Sequence, residues 1–329
     1  IIKMDADVIR IGGGPTGIAA AAELIKRGIK KVLIIEKGSI TESINKYPKR
    51  MVFFSTAENI EVGGLPFPTS NVKPTRIEAL QYYRKVVAYY DPNLLLYTEV
   101  TNVKKKKGLF YVTTHRKNTY TAKFVIVATG YFDFPRKLNI PGEDLPHVTK
   151  YYDEPYKYSF SKVVIVGAGN SAVSAALELY RHDVDVTIVH RGEDFKKTAK
   201  YWLIPDLQNR IKEGKIKTKF NRMVTSIEVG KINVKNLVSN KIETLNADFV
   251  IMMVGYLPDV NFLQKIGLNV SSEALKPEFN ENTFETKIDN LFLCGTVMAG
   301  TKTETIFIEN GRDHAKQIAE IIKERNSKN

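Results

Sequence analysis

Cysteine is nearly absent from this chain, since Cys294 is the single example among 329 residues. One thiol excludes an internal disulfide and any metal site built from several thiolates. Cys294 stands in the apolar stretch 290–295, which favours a buried and inert thiol. Histidine is also sparse, and no two histidines have the spacing of metal ligands: His115, His147, His182, His190 and His314. We therefore expect no metal.

Long apolar runs are missing as well. No stretch is long enough to span a bilayer, and the chain enters its first strand-like segment without a signal-peptide pattern, so we expect a cytoplasmic protein. The net charge is +13, but the lysines are dispersed. Their one dense run, 104–107, precedes Gly108 and predicts a solvated hairpin tip without the interleaved aromatics of a nucleic-acid site. We expect neither a membrane nor a nucleic-acid partner.

Glycine, in contrast, occurs in ordered clusters. The first cluster is Gly12, Gly14 and Gly17, which follows the apolar run 7–11 and opens an Ala-rich amphipathic segment. This is the dinucleotide fingerprint: the first glycine permits a tight turn, the second lets a pyrophosphate approach, and the third lets helix pack on strand. The phosphates would then lie on the N–H groups at the helix start.

A second strand-like run, 31–36, ends in Glu36. An acid about 20 residues beyond the glycines binds ribose hydroxyls and disfavours a 2′-phosphate. The long segment 37–68 that follows is rich in aromatic and hydroxyl side chains, which suits a flat heteroaromatic ring. The alternative is a surface loop with some core aromatics.

The fingerprint repeats after a buried strand at 124–130 and a connector at 132–158 that is rich in proline. Its residues are Gly167, Gly169, Asn170, Ser171 and Ala172. The next strand, 184–189, ends in His190 and Arg191, with Lys197 and Lys200 just beyond. A basic residue at this place accommodates the 2′-phosphate of NADP. Two fingerprints with opposite charges at their strand ends predict two different dinucleotides, one of them NADPH.

The remaining periodicity predicts a helix at 75–90, short strands at 215–220, 223–229, 231–238, 249–255 and 290–295, and a long last helix at about 305–325. We predict an α/β protein with two Rossmann-like dinucleotide-binding domains.

Two fingerprints joined through Ala128, Thr129 and Gly130 resemble the two-dinucleotide-binding-domain flavoproteins, in their thioredoxin-reductase-like branch. This resemblance implies a discontinuous FAD-binding domain, 1–133 plus 257–329, and an NADPH-binding domain, 134–256. Over essentially its whole length the chain resembles the bacillithiol-disulfide reductase family. The matching stretches are 11–15, 36–38, 42–44, 47–48, 53–55, 128–131, 170–172, 191–192, Lys197, Lys200, Trp202, 306–311 and His314.

The resemblance implies hydride transfer from NADPH to FAD and then reduction of a low-molecular-weight disulfide or another small acceptor, by a homo-oligomer that serves redox homeostasis. It implies FAD contacts from Gly12, Gly14, Pro15, Thr16, Gly17, Glu36, Lys37, Ser43, Tyr47, Phe54, Ser55, Val100, Ala128, Thr129, Gly130, Gly295, Thr305 and Ile306. It implies NADPH contacts from Gly167, Gly169, Asn170, Ser171, Ala172, His190, Arg191, Lys197, Lys200 and Gly255.

The chain departs from its relatives at three places. It has no Cys-x-x-Cys, so the redox dithiol of thioredoxin reductases is absent, and Gly295-Thr296 replaces a Gly-Asp pair. Thr16 stands where the bacillithiol family has a cysteine, and a hydroxyl cannot form a mixed disulfide. We assign no catalytic residue, and we expect bacillithiol disulfide to be reduced slowly or not at all unless no protein thiol is needed.

Two alternatives stay open. A flavin monooxygenase is favoured by His147 and Tyr151, which match part of a Gly-x-x-x-His-x-x-x-aromatic signature, although Glu143 replaces its glycine and Gly142 is one residue away. A flavoprotein that carries electrons to a protein such as a ferredoxin is the other. His314 would face the flavin or a subunit contact, or serve as a structural histidine.

Overall fold

The computed structural model describes residues 5–196 and 199–327. The strands, numbered along the chain, are β1 (Ala6–Ile11), β2 (Val32–Ile35), β3 (Asn93–Leu95), β4 (Val100–Lys106), β5 (Leu109–Thr114), β6 (Thr119–Val127), β7 (Val148–Thr149), β8 (Lys162–Val166), β9 (Asp185–Val189), β10 (Ile216–Lys219), β11 (Arg222–Glu228), β12 (Lys231–Asn236), β13 (Ile242–Asn246), β14 (Phe249–Met252) and β15 (Leu291–Leu293). The helices are α1 (Pro15–Lys26), α2 (Glu42–Asn45), α3 (Ala57–Ile60), α4 (Arg76–Tyr90), α5 (Asn170–Tyr180), α6 (Ile204–Lys212), α7 (Val260–Lys265) and α8 (Ile308–Ser327). None of these helices is long and apolar enough to cross a bilayer.

The chain forms two units. Unit 1 is made from the described residues of Ile1–Lys46, Arg50–Phe134 and Tyr256–Asn329, and unit 2 from Tyr47–Lys49 and Pro135–Gly255. That unit 1 binds FAD and unit 2 binds NADPH stays a prediction.

The sheet of unit 1 has the strand order β3-β2-β1-β6-β5-β4. Strands β1, β2 and β3 are parallel neighbours, and β1 also pairs in parallel with β6. Beyond β1, the first half of β6 pairs antiparallel with β5, while its last residues pair in parallel with β15. Ile9 and Ile11 belong to a core cluster with β4, β5 and Leu263 of α7. Helix α1 packs against α4 and α8. Because β1, β2 and β6 are parallel, their carboxyl ends lie at the same edge of the sheet, where β1 leads into α1.

The predicted helix at 75–90 is confirmed as α4. Thr75 and Glu78 form a capping box at its start, with each side chain accepting a hydrogen bond from the other's backbone N–H. The helix ends at Tyr90, and the capping residue Asp91 has a φ of 46°. The capping signal and the stop are both local, which explains why the sequence reveals both ends.

Unit 2 contains a parallel sheet of order β10-β9-β8-β14-β7 and an antiparallel sheet β11-β12-β13. The strands predicted at 215–220, 223–229, 231–238 and 249–255 are confirmed as β10, β11, β12 and β14. Val163, Ile165 and Val186 of the parallel sheet share a core with Val173 and Leu177 of α5.

Three predictions from the sequence need correction. The connector at 132–158 contains β7, because Val148 pairs with Val250 at the edge of the parallel sheet. The irregular segment 37–68 includes the short helices α2 and α3. The last helix begins at Ile308 rather than at about 305, because the Asn310 side chain accepts a hydrogen bond from the Phe307 N–H and donates one to the Thr305 carbonyl, which holds 305–307 outside the helix.

Candidate nucleotide-binding sites

The turn between β1 and α1 is shaped by its glycines. Gly12 has a φ of 107°, and a Cβ atom there would lie 2.5 Å from the carbonyl oxygen of Ala128. Around Gly14 the space is open, since a Cβ would meet nothing within 4 Å. Gly14 also caps α1 without a side-chain hydrogen bond. A pyrophosphate would therefore have an open approach to the backbone at a helix N-terminus.

Glu36 lies at the end of β2, next to this turn. Its side chain is buried, and its carboxylate accepts hydrogen bonds from the N–H groups of Gly13 and Gly38. Beside it is a cleft of about 460 Å³ whose lining includes Lys37, Glu42 and Tyr97. Two backbone N–H groups thus hold Glu36 at the end of β2, directly before Lys37 in the lining of this cleft.

Lys37 was predicted to contact FAD, and its ammonium group already has partners. The Nζ atom lies 3.1 Å from Oδ2 of Asp133 and 5.0 Å from the centre of the Phe134 ring. Lys46 Nζ donates to the other Asp133 oxygen at 2.9 Å. Against the effect of burial, these two ammonium groups hold the pKa of Asp133 below its usual value. No sequence motif marked Asp133, because its partners are about 90 residues away.

Thr16 lies where three segments of unit 1 meet. A Cβ atom at Gly295 would come within 2.5 Å of Thr16 Oγ1, and a Cβ atom at Gly311 would overlap Thr16 Cγ2. Gly295 also has a φ of 78°. The side chain of residue 16 is therefore packed against the turn after β15 and against the first turns of α8. The role of Gly311 in this junction was not predicted.

Cys294 lies at the same junction. It has no exposed surface, and Sγ is 3.8 Å from the carbonyl oxygens of Thr16 and Gly311. Burial raises its pKa to about 12, although the charge of Arg10 acts in the opposite direction. The predicted burial of this thiol is confirmed, and the thiol is protonated at physiological pH.

The other predicted FAD contacts in unit 1 differ in their surroundings. The Thr129 hydroxyl is buried and has no hydrogen-bond partner among the described residues, while a Cβ at Gly130 would lie 3.3 Å from Thr296 Oγ1. Ser55 donates to the carboxylate of Glu309. Val100 packs into the core of the sheet, so its side chain is not available to a ligand.

The remaining residues lie mostly on loops. Ser43 and Phe54 are half-buried on the segment after β2. Thr305 donates to the carbonyl of Lys302 at 2.8 Å, and Ile306 packs against the core of unit 1. Tyr47 falls in unit 2.

Unit 2 repeats the turn geometry. Gly167 has a φ of 128°, and a Cβ atom there would overlap the carbonyl oxygen of Met253. Gly169 caps α5 without a side-chain hydrogen bond. Asn170 accepts a hydrogen bond from the Lys200 N–H at 2.8 Å. The structure thus brings the first turn of α5 together with the segment that carries Lys200. From the sequence, a position for Lys200 near this turn is indicated only by the family resemblance.

His190 and Arg191 follow β9 directly. Burial, with the charges of Lys196 and Arg191, lowers the pKa of His190. The imidazole is therefore neutral at physiological pH, and Arg191 is exposed. Ser171 is exposed on the first turn of α5, Ala172 is buried, and Gly255 has a φ of 100°. Lys197 lies outside the described residues.

The residues of the monooxygenase-like signature have structural partners within unit 2. Glu143 accepts hydrogen bonds from the N–H groups of Leu138 and Asn139. A Cβ atom at Gly142 would overlap the carbonyl oxygen of Ile227. His147 Nε2 lies 3.1 Å from the carbonyl oxygen of Glu228. These residues hold the connector on the antiparallel sheet, which is sufficient to explain their presence.

His314 is packed against the ring of Phe284, with ring centres 4.4 Å apart. Burial lowers its pKa, and Nδ1 has no hydrogen-bond partner in the described part of the chain. That His314 faces the flavin or a subunit contact stays a prediction, as does its structural role.

The sequence matches the family model for pyridine nucleotide-disulphide oxidoreductases over residues 9–295. The chain belongs to this family. It is 40% identical over 319 residues to "Bacilliredoxin reductase Bdr" of Bacillus subtilis, covering 97% of this chain and 98% of that protein. The structure of "Bacillithiol Disulfide Reductase Bdr" from Bacillus cereus superposes with a TM-score of 0.94 at 39% identity, covering 98% of this chain and all of the other. A "Ferredoxin--NADP reductase" of Ignicoccus hospitalis is 25% identical over 90% of this chain and 91% of its own length.

These relationships confirm the predicted fold class, the resemblance to the bacillithiol-disulfide reductases and the two cofactors. The chain is an NADPH-dependent oxidoreductase that uses FAD.

Proposed function

We propose that this enzyme reduces a small-molecule acceptor with NADPH and that no protein thiol takes part in the reduction. For a disulfide acceptor the balance is NADPH + H⁺ + RSSR → NADP⁺ + 2 RSH. When bound, FAD supplies the redox centre between the two substrates. Bacillithiol disulfide, which the name of the Bacillus cereus relative contains, would be a poor acceptor here. The expected homo-oligomer and cytoplasmic location stay predictions.

The observation that carries this proposal is the junction at residue 16. The position occupied by cysteine in the resembled family holds a hydroxyl, which stays protonated and can only donate or accept a hydrogen bond. The one thiol nearby, Cys294, has no exposed surface and a pKa of about 12. It therefore lacks both the access and the ionisation that attack on a disulfide requires.

We assign the FAD diphosphate to the turn of Gly12 and Gly14. The fit rests on three features of unit 1: the open approach at Gly14, the uncapped start of α1, and the buried acid Glu36 at the end of β2. A Cβ atom at Gly13 would come within 3.0 Å of the Glu36 side chain, so a glycine there keeps the acid next to the turn.

We assign NADPH to the second turn, with Arg191 on the 2′-phosphate. The support is the same turn geometry at Gly167 and Gly169, with a basic strand end in place of the acid. The hydrogen bond between Asn170 and Lys200 holds a second lysine-bearing segment beside the first turn of α5. A guanidinium can make bidentate hydrogen bonds to a phosphate, which favours NADPH over NADH.

The test is anaerobic reduction by NADPH followed by addition of acceptors. We expect wild type to lose its flavin absorbance with NADPH and to regain it slowly with bacillithiol disulfide. Thr16→Cys should accelerate this second step about tenfold or more, because the helix N-terminus stabilises a thiolate at that position. Thr16→Ser is the matched control, because it has the size of cysteine without the thiol, and it should stay slow.

Cys294→Ser should change little in the same assay. Rapid reduction of bacillithiol disulfide by both wild type and Cys294→Ser would contradict the proposed poor turnover. It would show that this disulfide is reduced well without a protein thiol.

Transfer of electrons to a ferredoxin is the second candidate. It is favoured by the similarity to ferredoxin–NADP reductase over most of both chains and by the net charge of +13, which suits an acidic partner. Reduction of a ferredoxin whose rate falls steeply as salt is added would support this candidate over the small-molecule acceptor.

A further inference from the structure

Arg10 is a charged residue in the middle of β1, where its neighbours are apolar. Its side chain has no exposed surface and is among the largest that are fully buried in the described chain. A buried charge is costly unless it is paired and hydrogen-bonded. The position therefore calls for a partner.

The guanidinium lies under the first turn of α1. A Cβ atom at Gly17 would overlap Nη1, Nη2 and Cζ of Arg10. The third glycine of the fingerprint thus does more than bring helix and strand together, because it leaves the space that the guanidinium fills. The positive charge is consequently held beneath the helix start that would receive the phosphates.

No partner for this group is found among residues 5–196 and 199–327, since Nε, Nη1 and Nη2 are all buried without a hydrogen bond. Two groups that titrate influence it. The Glu36 carboxylate accepts from the N–H groups of Gly13 and Gly38, and the Cys294 thiol is protonated below a pKa of about 12. Burial lowers the pKa of Arg10 to about 10, with Cys294 and Glu36 opposing the shift, so the group is charged at neutral pH.

We propose that the diphosphate of FAD is the counter-charge of Arg10, acting across the first turn of α1. This inference rests on the assignment of FAD to unit 1. The guanidinium adds a full positive charge to the partial charge of the helix start, and the surrounding protein screens it less than water would. Binding of the cofactor thereby adds negative charge near a guanidinium that has no hydrogen-bond partner among the described residues.

The test uses apoprotein from wild type and the variants Arg10→Met, Arg10→Gln and Arg10→Lys. Affinity for FAD is measured by fluorescence quenching, and Tm is measured with and without FAD. We expect Arg10→Met and Arg10→Gln to bind FAD about tenfold or more weakly, which is the scale of a charge-assisted contact. The affinity of Arg10→Lys for FAD should lie between those of the neutral variants and that of wild type. As apoproteins, the neutral variants should have a Tm no lower than that of wild type. Addition of FAD should raise their Tm by less than it raises that of wild type.

ADP and adenosine identify the part of the cofactor that is sensed. The neutral variants should lose affinity for ADP, which carries the diphosphate, and should bind adenosine as wild type does. Arg84→Met, which removes an exposed arginine from α4, is the control and should leave every measurement unchanged.

The inference would be overturned if Arg10→Gln bound FAD as tightly as Arg10→Lys does, and likewise bound ADP as tightly. This comparison of two variants can be made even if Arg10→Met does not fold. A lower apoprotein Tm in Cys294→Ser together with loss of a thiolate absorbance would also overturn it, because the counter-charge would then be Cys294. Either result leaves FAD binding by wild type intact. A wild-type apoprotein that binds no FAD would instead contradict the proposed function itself.

Discussion

The two fingerprint turns share a backbone and differ in charge. At Gly12 and at Gly167 the chain takes a positive φ, and a Cβ would run into a carbonyl oxygen just beyond a neighbouring strand, that of Ala128 or of Met253. The strands that follow end in Glu36 in one unit and in Arg191 in the other. Glycine therefore builds the turn in both units, and we propose that the residue at the next strand end selects which dinucleotide is bound.

The largest expected effect comes from filling the turns. Gly12→Val should abolish FAD binding, because the new side chain meets the carbonyl of Ala128 at an unfavourable φ. Gly167→Val should leave a yellow, FAD-containing protein that NADPH no longer reduces. The measurements are flavin content and anaerobic reduction. The control is Gly108→Ala. Gly108 also has a positive φ, of 80°, but the space around it is open, so this variant measures the effect of the backbone conformation without a steric clash. Loss of FAD from Gly167→Val would contradict the separation into two sites.

Exchanging charges at the strand ends should have the next largest effect. Arg191→Ala should raise the KM for NADPH about tenfold or more and leave that for NADH nearly unchanged, since one charge-assisted contact contributes about 1.5–3 kcal/mol. Glu36→Gln should weaken FAD binding and leave both coenzyme KM values as they are. Equal losses with NADPH and NADH in Arg191→Ala would mean that this arginine is structural.

A smaller effect is expected from the side chains at the two helix starts. Asn170→Ala removes the acceptor of the Lys200 N–H, a hydrogen bond whose loss costs about 0.5–1.5 kcal/mol. The KM for NADPH should therefore rise a few-fold while FAD content stays constant. Thr16→Val, the equivalent change in unit 1, should leave that KM unchanged. A shift of the KM in Thr16→Val would indicate that the two turns are coupled.

The smallest expected signal is the reactivity of Cys294. Because burial raises its pKa to about 12, the native thiol is protonated and should not react with a thiol reagent at neutral or mildly alkaline pH. The raised pKa stabilises the fold below the usual thiol pKa of 9, and this contribution is lost as pH rises from there towards 12. Labelling in native buffer and in denaturant measures the difference. Rapid native labelling would contradict the burial.

Much of the two nucleotide sites can be predicted from sequence because their signals are local. The spacing of Gly12, Gly14 and Gly17, the acid Glu36 and the base Arg191 each lie within a short strand–turn–helix–strand unit. The capping box of Thr75 and Glu78 is also local, and it defines the start of α4. Such features depend on backbone geometry and on neighbours a few residues away, so the amino-acid order alone specifies them.

Tertiary structure decided what depends on residues far apart in the chain. Thr16, Gly295 and Gly311 meet only because β15 pairs with β6 and α8 packs on α1. Helix α1 covers Arg10 at Gly17, and no pattern in β1 tells whether that charge faces solvent or the protein interior. The burial of a side chain and its contacts depend on the folded structure. They are set by residues that lie up to about 280 positions apart in the sequence and that folding brings within contact distance.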